Sequence, residues 1–350
     1  MAGALAIKDL KVWPLREPVS GRRYTVLRLD TESGLKGYGE CRETSPRELG
    51  AARSALSGID VTAYEIGWRK LSASPGVRPA IQQAMLDISG QLSKAPVYQV
   101  LGGPTRNKAR GLAVLEGPAA LERAQKSGFK AFSVAVPKPD WRNGGQAFVQ
   151  AVSSLMQRMR RASGSDADFV LDGGGGLVPG DAQQIAAAIE RFHLLWFDEP
   201  TAVSNLGAVK KIASENVTPL GFGRTVREPG GFQDLLREDS VDILRPDLAI
   251  HGISQIRRIA ALAETYYTAV APYHDGGPVG TAAALHLAAS LPNFFIQQIP
   301  QPGNPKDQEL RKAIAGDIEK VTGGFAALPT GPGLGIKVNE DALDRYQERA

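Results

Sequence analysis

The chain is poor in the residues on which soft metals and redox chemistry depend. It has one cysteine, Cys41, and four histidines in 350 residues. One cysteine excludes an intramolecular disulfide, a Cys-x-x-Cys pair and a cysteine-rich zinc site. Its setting, GYGECRE, reads as a strand end, which suits a buried, inert thiol. No apolar run is long enough to cross a bilayer. The start, MAGALAIKDLKVW, lacks the basic and apolar regions of a secretory leader, so a cytoplasmic protein is expected. Charge of one sign is scarce too: 41 Lys and Arg against 37 Asp and Glu leave a net charge of +4. With no basic run interleaved with aromatics, nucleic acid is not an expected partner. The basic stretch Arg158 to Arg161 falls near the end of a helical pattern, where cations suit the helix dipole and face solvent. No Walker sequence is present, and no Gly-x-Gly-x-x-Gly stands between a strand and a helix, so no nucleotide cofactor is expected.

What remains is an ordinary globular composition, 43% hydrophobic and 22% charged, with a strong internal rhythm. Six apolar runs end in polar residues: Asp172, Glu199, Arg224, Asp247, Tyr273 and Gln298. Their successive spacings are 27, 25, 23, 26 and 25 residues. A strand, a loop and a helix of three to four turns consume about that much chain, so these are consecutive βα units. GLAVLEG and KAFSVAVPK supply two earlier strands and bring the number to eight, which predicts a (β/α) barrel with buried parallel strands. The first hundred residues follow another pattern. TVLRLDTESGLKGYGE reads as a hairpin turning at Glu32-Ser33-Gly34. Ser45, Pro46 and Glu48 mark a helix start, and the whole is an α+β module. The boundaries predicted are 1–107 for this module, 108–325 for the barrel and 326–350 for a turn-rich tail returning to the first module.

In a barrel the polar endings gather at one rim. Asp172 and Glu199 would point two carboxylates at a shared locus suited to Mg²⁺. The third ending is Arg224, a guanidinium that would pair with both acids and repel a divalent ion. It either stands in for the metal as the positive charge of the site or points away to the surface. The glycines from Gly173 to Gly176, Gly174 among them, could cradle an anion on their amides or form a loose turn. Asp247 beside His274 would make a general-base arrangement. Strand alternation lets only one of Tyr273 and His274 face the interior, however. His251, in a predicted loop, and His193 and His286, on helical patterns, are weaker candidates.

Taken together, GLKGYGE, LGGPTR, FDEP, VDILRPD, APYHDGGPVGTAAALHLAASLPNF and PTGPGLGIKV make the chain resemble the enolase superfamily, in its mandelate racemase and muconate-lactonizing group. The resemblance covers nearly the whole length. It implies a modified (β/α)₇β TIM-like barrel under an N-terminal α+β capping domain that the C-terminal tail completes. Loops near Pro18 to Arg23 would close over the substrate. It further implies abstraction of a proton next to a carboxylate, with Mg²⁺ stabilising the enediolate, in a dehydratase, epimerase or racemase of an acid sugar. Symmetric homo-oligomers are expected by resemblance alone, and no membrane partner.

Residue by residue, the pattern is broken. Of three ligand positions, two are met by Asp172 and Glu199 and the third is Arg224. Asp198 is the nearest substitute ligand, although alternation from Glu199 points it away. A Lys-x-Lys base on the second strand becomes Ser133 and Ala135. Asp247 is kept, but Tyr273 stands where its histidine partner is expected, with His274 one step late, and the eighth strand ends in Gln298. Arg224, Asp247, Tyr273 and His274 are therefore the candidate catalytic residues, and Gly174, Arg224 and Gln298 the candidate substrate contacts. The alternative is a non-catalytic scaffold in which Asp172, Arg224 and Glu199 form a structural ion network.

Overall fold

Three antiparallel strands come first: β1 (Ile7–Arg16), β2 (Arg23–Thr31) and β3 (Lys36–Cys41). The computed structural model describes residues 3–138 and 144–348. β2 and β3 form the expected hairpin, pairing Asp30 with Lys36. Ser45 then caps the helix Pro46–Leu56 by accepting the Glu48 amide at 3.2 Å, the capping-box geometry that its sequence announces. The helix Arg78–Leu92 lies flush on β3. A Cβ at Gly39 would stand 1.9 Å from the Ala80 carbonyl oxygen, so only glycine allows this approach.

Eight parallel strands follow: β4 (Lys108–Leu115), β5 (Ala131–Ala135), β6 (Asp168–Asp172), β7 (Trp196–Asp198), β8 (Leu220–Phe222), β9 (Ile243–Leu244), β10 (Ala269–Val270) and β11 (Gln297–Gln298). Each pairs with its successor from β4 to β10, and β11 returns to β4 through Gln297–Gly111 and Gln298–Leu112. A single bridge, Val270 to Phe294, joins the last gap and closes the barrel. Its inside is apolar at one level. Leu112, Ala131, Val170, Trp196, Ile243 and Ile296 form a cluster separate from the larger core between strands and helices. Strand side chains repeat every second residue. Two positions on from this cluster, at the carboxyl ends, come Ser133, Asp172, Asp198, Arg245 and Gln298.

The two modules share one seam. The helix Pro278–Ser290 is buried along its whole length, packed against the barrel strands and against β3. A helix with no polar face requires cover on every side. After the barrel, a hairpin of β12 (Val321–Thr322) and β13 (Phe325–Ala327) adds to β4. The helix Glu340–Tyr346 returns to β1, where Trp13 Nε1 donates to Asp344 at 2.6 Å. The polar part of the seam centres on Arg311. This buried guanidinium donates to Glu17 at 2.5 Å, to Glu319 at 2.6 and 2.7 Å and to the Gly276 carbonyl at 2.8 Å. Beside it Glu40 accepts the amides of Gly277 and Gly280, which open the Pro278–Ser290 helix.

Removing the cation would leave the fully buried carboxylate of Glu17 with only the Ser20 hydroxyl at 2.6 Å and Arg22 at 4.0 Å. We expect Arg311→Ala to lower the unfolding free energy by about 3–5 kcal/mol, read as a shifted midpoint in urea denaturation. An unchanged midpoint would mean that the seam does not rest on this ion cluster.

Candidate functional site at the barrel rim

The rim is a chain of alternating charges. Arg224 follows β8 and swings inward, donating to Asp172 bidentately at 2.5 and 3.0 Å. Its Nε lies 3.2 Å from Asp198 Oδ2, close enough for a Coulombic contact but misaligned for a hydrogen bond. Gly221 makes the space. A Cβ there would meet Trp196 at 2.3 Å and Asp198 Oδ1 at 2.9 Å. Asp198 Oδ1 takes the Trp196 indole N–H at 2.8 Å and faces Arg245 Nε at 3.2 Å. Arg245, buried inside the barrel, also donates to the Ala271 carbonyl and to Gln298 Oε1, both at 3.1 Å. Burial alone would lower the Arg224 pKa; Asp198 and Asp172 outweigh it and raise it, so this guanidinium stays charged.

This arrangement corrects the expected ion network in one member. Asp198, not Glu199, shares Arg224 with Asp172. Counted from Trp196, Asp198 falls on the interior face, while Glu199 leaves the strand with φ of 44°. Its carboxylate turns back and accepts the Gly223 and Arg224 amides, both at 2.8 Å. Burial raises the Glu199 pKa, Asp198 adds to this, and those amides oppose it. The glycine loop after β6 is also not an anion cradle. Gly173 donates to the Asp198 carbonyl, Gly174 to Asp172 Oδ1, Gly175 to the Glu199 carbonyl and Gly176 to the Gly173 carbonyl. Gly174 therefore offers no free amide to a substrate.

Tyr273 is the half-buried member of its pair that faces the site. Its ring lies 5.3 Å from the Arg224 guanidinium carbon and 5.6 Å from that of Arg245, a double cation–π contact. Burial, then Asp275, pushes its hydroxyl up to about 12. His274 points the other way. Its Nε2 lies 3.1 Å from the Gly277 carbonyl and 3.2 Å from Thr281 Oγ1. Burial, aided by Arg311, lowers its pKa to about 3. Its ring is thus engaged by the start of the Pro278–Ser290 helix, on the opposite side of the chain from Tyr273. Gln298 is likewise spent, on Arg245. His251 lies in the helix Leu248–Glu264, not a loop, and its Nε2 contacts the Val226 carbonyl at 2.8 Å.

Asp247 is 1% exposed and accepts the Ala249 amide at 2.8 Å. Its other oxygen takes Arg42 Nη2 at 2.5 Å, from the end of β3 in the capping module. Burial raises its pKa to about 6 against the pull of Arg42. The capping loop is tied down close by. The Val19 and Ser20 amides donate to Asp307 at 2.9 and 2.8 Å, and Arg22 donates to Asp275 at 2.7 Å. Arg42 and Arg245 are the members that the sequence pattern did not single out. Arg245 had a signal, since it lies two residues beyond inward-facing Ile243 on the same strand.

Among the described residues, no group of three or more His, Cys, Asp or Glu side chains is disposed to hold a metal ion. Asp172 and Asp198 already face guanidinium groups, whereas a hard divalent cation takes oxygen ligands free of competing cations.

A closed parallel barrel with its polar residues at the carboxyl rim, under an α+β cap, defines the class. Residues 118–342 match the family model for the enolase C-terminal domain-like fold, and the chain belongs to that family. It is similar to the D-galactonate dehydratase of Xanthomonas campestris pv. campestris (strain B100), 27% identical over 97% of this chain and 95% of that one. A D-galactonate dehydratase family member of Paenibacillus is 26% identical over 91% and 88%. Among solved structures, a putative galactarate dehydratase from Agrobacterium radiobacter superposes with a TM-score of 0.88 at 25% identity, covering 98% of this chain and 95% of that one. A mandelate racemase/muconate lactonizing enzyme-like protein from Rubrobacter xylanophilus gives the same TM-score and identity over 99% and 98%.

The Asp247 pKa makes a sign-definite prediction. A carboxyl whose pKa is raised on folding, here from 3.8 to about 6, keeps its proton longer in the folded state. Its contribution is fully present below pH about 4 and is lost as pH rises through about 6. Asp247→Asn should gain on wild type across that window by up to about 3 kcal/mol. Melting temperatures from pH 3.5 to 7.5 would reveal it, and parallel curves would refute it.

Proposed function

We propose that this protein acts on a small carboxylic acid of the acid-sugar kind by abstracting the proton next to the carboxylate, which a racemase or epimerase then returns and a dehydratase follows with loss of the neighbouring hydroxyl as water. The Arg224 guanidinium supplies the positive charge that a divalent ion supplies elsewhere in the family. The observation that carries this reading is the position of Arg224 between Asp172 and Asp198, with the Tyr273 ring beside it. The D-galactonate dehydratase relatives support the substrate class, as does the L-malate bound in the Agrobacterium structure.

The chemistry available is electrostatic. A unit charge at about 4 Å in an effective dielectric near 20 contributes about 4 kcal/mol, and a divalent ion would contribute about twice that. A guanidinium must therefore gain through preorganisation what it lacks in charge, and the bidentate Asp172 and the buried Asp198 hold it in place. Asp247, with a pKa near 6, is the group suited to accept a proton at neutral pH. Tyr273, near 12, is suited to donate one.

One observation favours a second reading, the non-catalytic scaffold. Both Nη groups of Arg224 already donate to Asp172, so a substrate oxygen can reach only the second N–H of each.

A panel of acid sugars assayed with and without chelator separates the readings. Turnover should persist in chelator and fall about 10²- to 10³-fold in Arg224→Ala, the usual loss of one oxyanion donor. Activity abolished by chelator alone would overturn the role given to Arg224. No turnover on any acid, from protein with a normal melting transition, would leave the scaffold.

A further inference from the structure

Arginines crowd the rim, and they differ in what they have left to give. Arg245 is buried and engaged on all sides by Asp198, Ala271 and Gln298. Arg224 has given both Nη groups to Asp172. Arg22 holds Asp275 and lies 4.0 Å from Glu17. Arg42 stands apart. Its side chain is 54% exposed, and among the described residues its one hydrogen bond is from Nη2 to Asp247. A guanidinium carries five N–H donors in a planar fork. Nη2 holds Asp247, while Nε and Nη1 make no hydrogen bond among the described residues.

The position of these nitrogens gives them a use. Arg42 belongs to the capping module, Arg224 to the barrel, and the field of each acts on the same buried carboxylate of Asp247. Arg42 holds Asp247 directly, and Arg224 lies over the ring of Tyr273, the strand neighbour of Asp247. The cleft beneath Arg42, lined by Leu248, Ala249 and Asp275, measures about 20 Å³, room for a single water. A ligand group must meet the guanidinium from outside.

We propose that Arg42 is a specificity-determining residue whose unengaged nitrogens take the second carboxylate of a dicarboxylic acid sugar, while the first faces Arg224. The assignment rests on the reading of this rim as a site for carboxylic acids and narrows it to dianions. Arg42 can bind such a group without releasing Asp247, because the two carboxylates use different nitrogens of one guanidinium. A sugar acid with a terminal hydroxymethyl in place of the second carboxylate would make only a neutral hydrogen bond there. The difference between charge-assisted and neutral bonding corresponds to about 10- to 100-fold in affinity.

The test is calorimetric binding to the full chain of hexarate and hexonate pairs that differ only in the oxidation of carbon 6, galactarate and galactonate among them. Wild type should bind at least one hexarate about 10- to 100-fold more tightly than its hexonate. Arg42→Gln should erase the preference, and Arg42→Lys should keep part of it. Because Arg42→Gln strands Asp247, the double variant Arg42→Gln/Asp247→Asn, with its melting curve, separates lost recognition from lost folding. Equal affinity within every pair, no binding to any of them, or a preference that survives in a folded Arg42→Gln or double variant would overturn the proposal. Hexarate-selective binding without turnover would sustain Arg42 and remove the proton-abstraction reading. Turnover of hexonates with no advantage to hexarates would do the reverse.

Discussion

A carboxylate at the mouth of a barrel must be neutralised, and everything at this rim follows from how that is done. Asp198 sits there 1% exposed, out of reach of bulk water. Two arginines and an indole N–H meet it instead. Once Arg245 fills the interior, Arg224 has one place left to go. It lies over Gly221 and reaches across to Asp172. An uncompensated ion in such a place costs several kcal/mol, so changing one of these residues alone leaves a charge of another unpaired. Arg224 is one visible member of a set that includes Gly221, Arg245 and Gln298.

The same rule joins the modules. Arg22 and Arg42 descend from the cap to Asp275 and Asp247, and Arg311 rises from a barrel helix to Glu17. Apolar contact along the helix Pro278–Ser290 supplies cohesion without direction. The ion pairs add orientation, since a guanidinium fork accepts a carboxylate in few geometries. Cap and rim are thereby held in one register over the site.

The strand endings told most of the fold in advance because a βα unit has a near-constant length, and a short apolar run that recurs at that interval between turns is nearly always a buried strand. Position along each strand was legible; facing was less so. Asp198 was discounted because alternation was counted from Glu199, which leaves the strand in a left-handed conformation and carries no information about facing. Counting from Trp196, whose bulk belongs in the core, gives the correct side. His274 misled for a similar reason, since a histidine beside a tyrosine draws notice through its chemistry when only Tyr273 is in phase with the interior. Arg160, read as part of a solvated run, instead binds the carbonyls of Ala167, Phe192 and His193. No local pattern announces a side chain that crosses to another unit. Arg42 was invisible for that reason, its partner lying 205 positions away.

The four rim aspartates and the four arginines that face them have a kinetic consequence. Opposite charges set a few ångströms apart produce fields that cancel within a Debye length, about 8 Å at physiological ionic strength. Beyond that distance an approaching anion meets almost no pull from the mouth. For an anion bound at this rim, such pairing corresponds to ordinary diffusional collision, near the neutral association rates of about 10⁵–10⁶ M⁻¹s⁻¹ rather than the steered range. Added salt should scarcely alter how fast a ligand arrives, while it weakens the grip once the ligand is seated. A paired rim selects by what it retains.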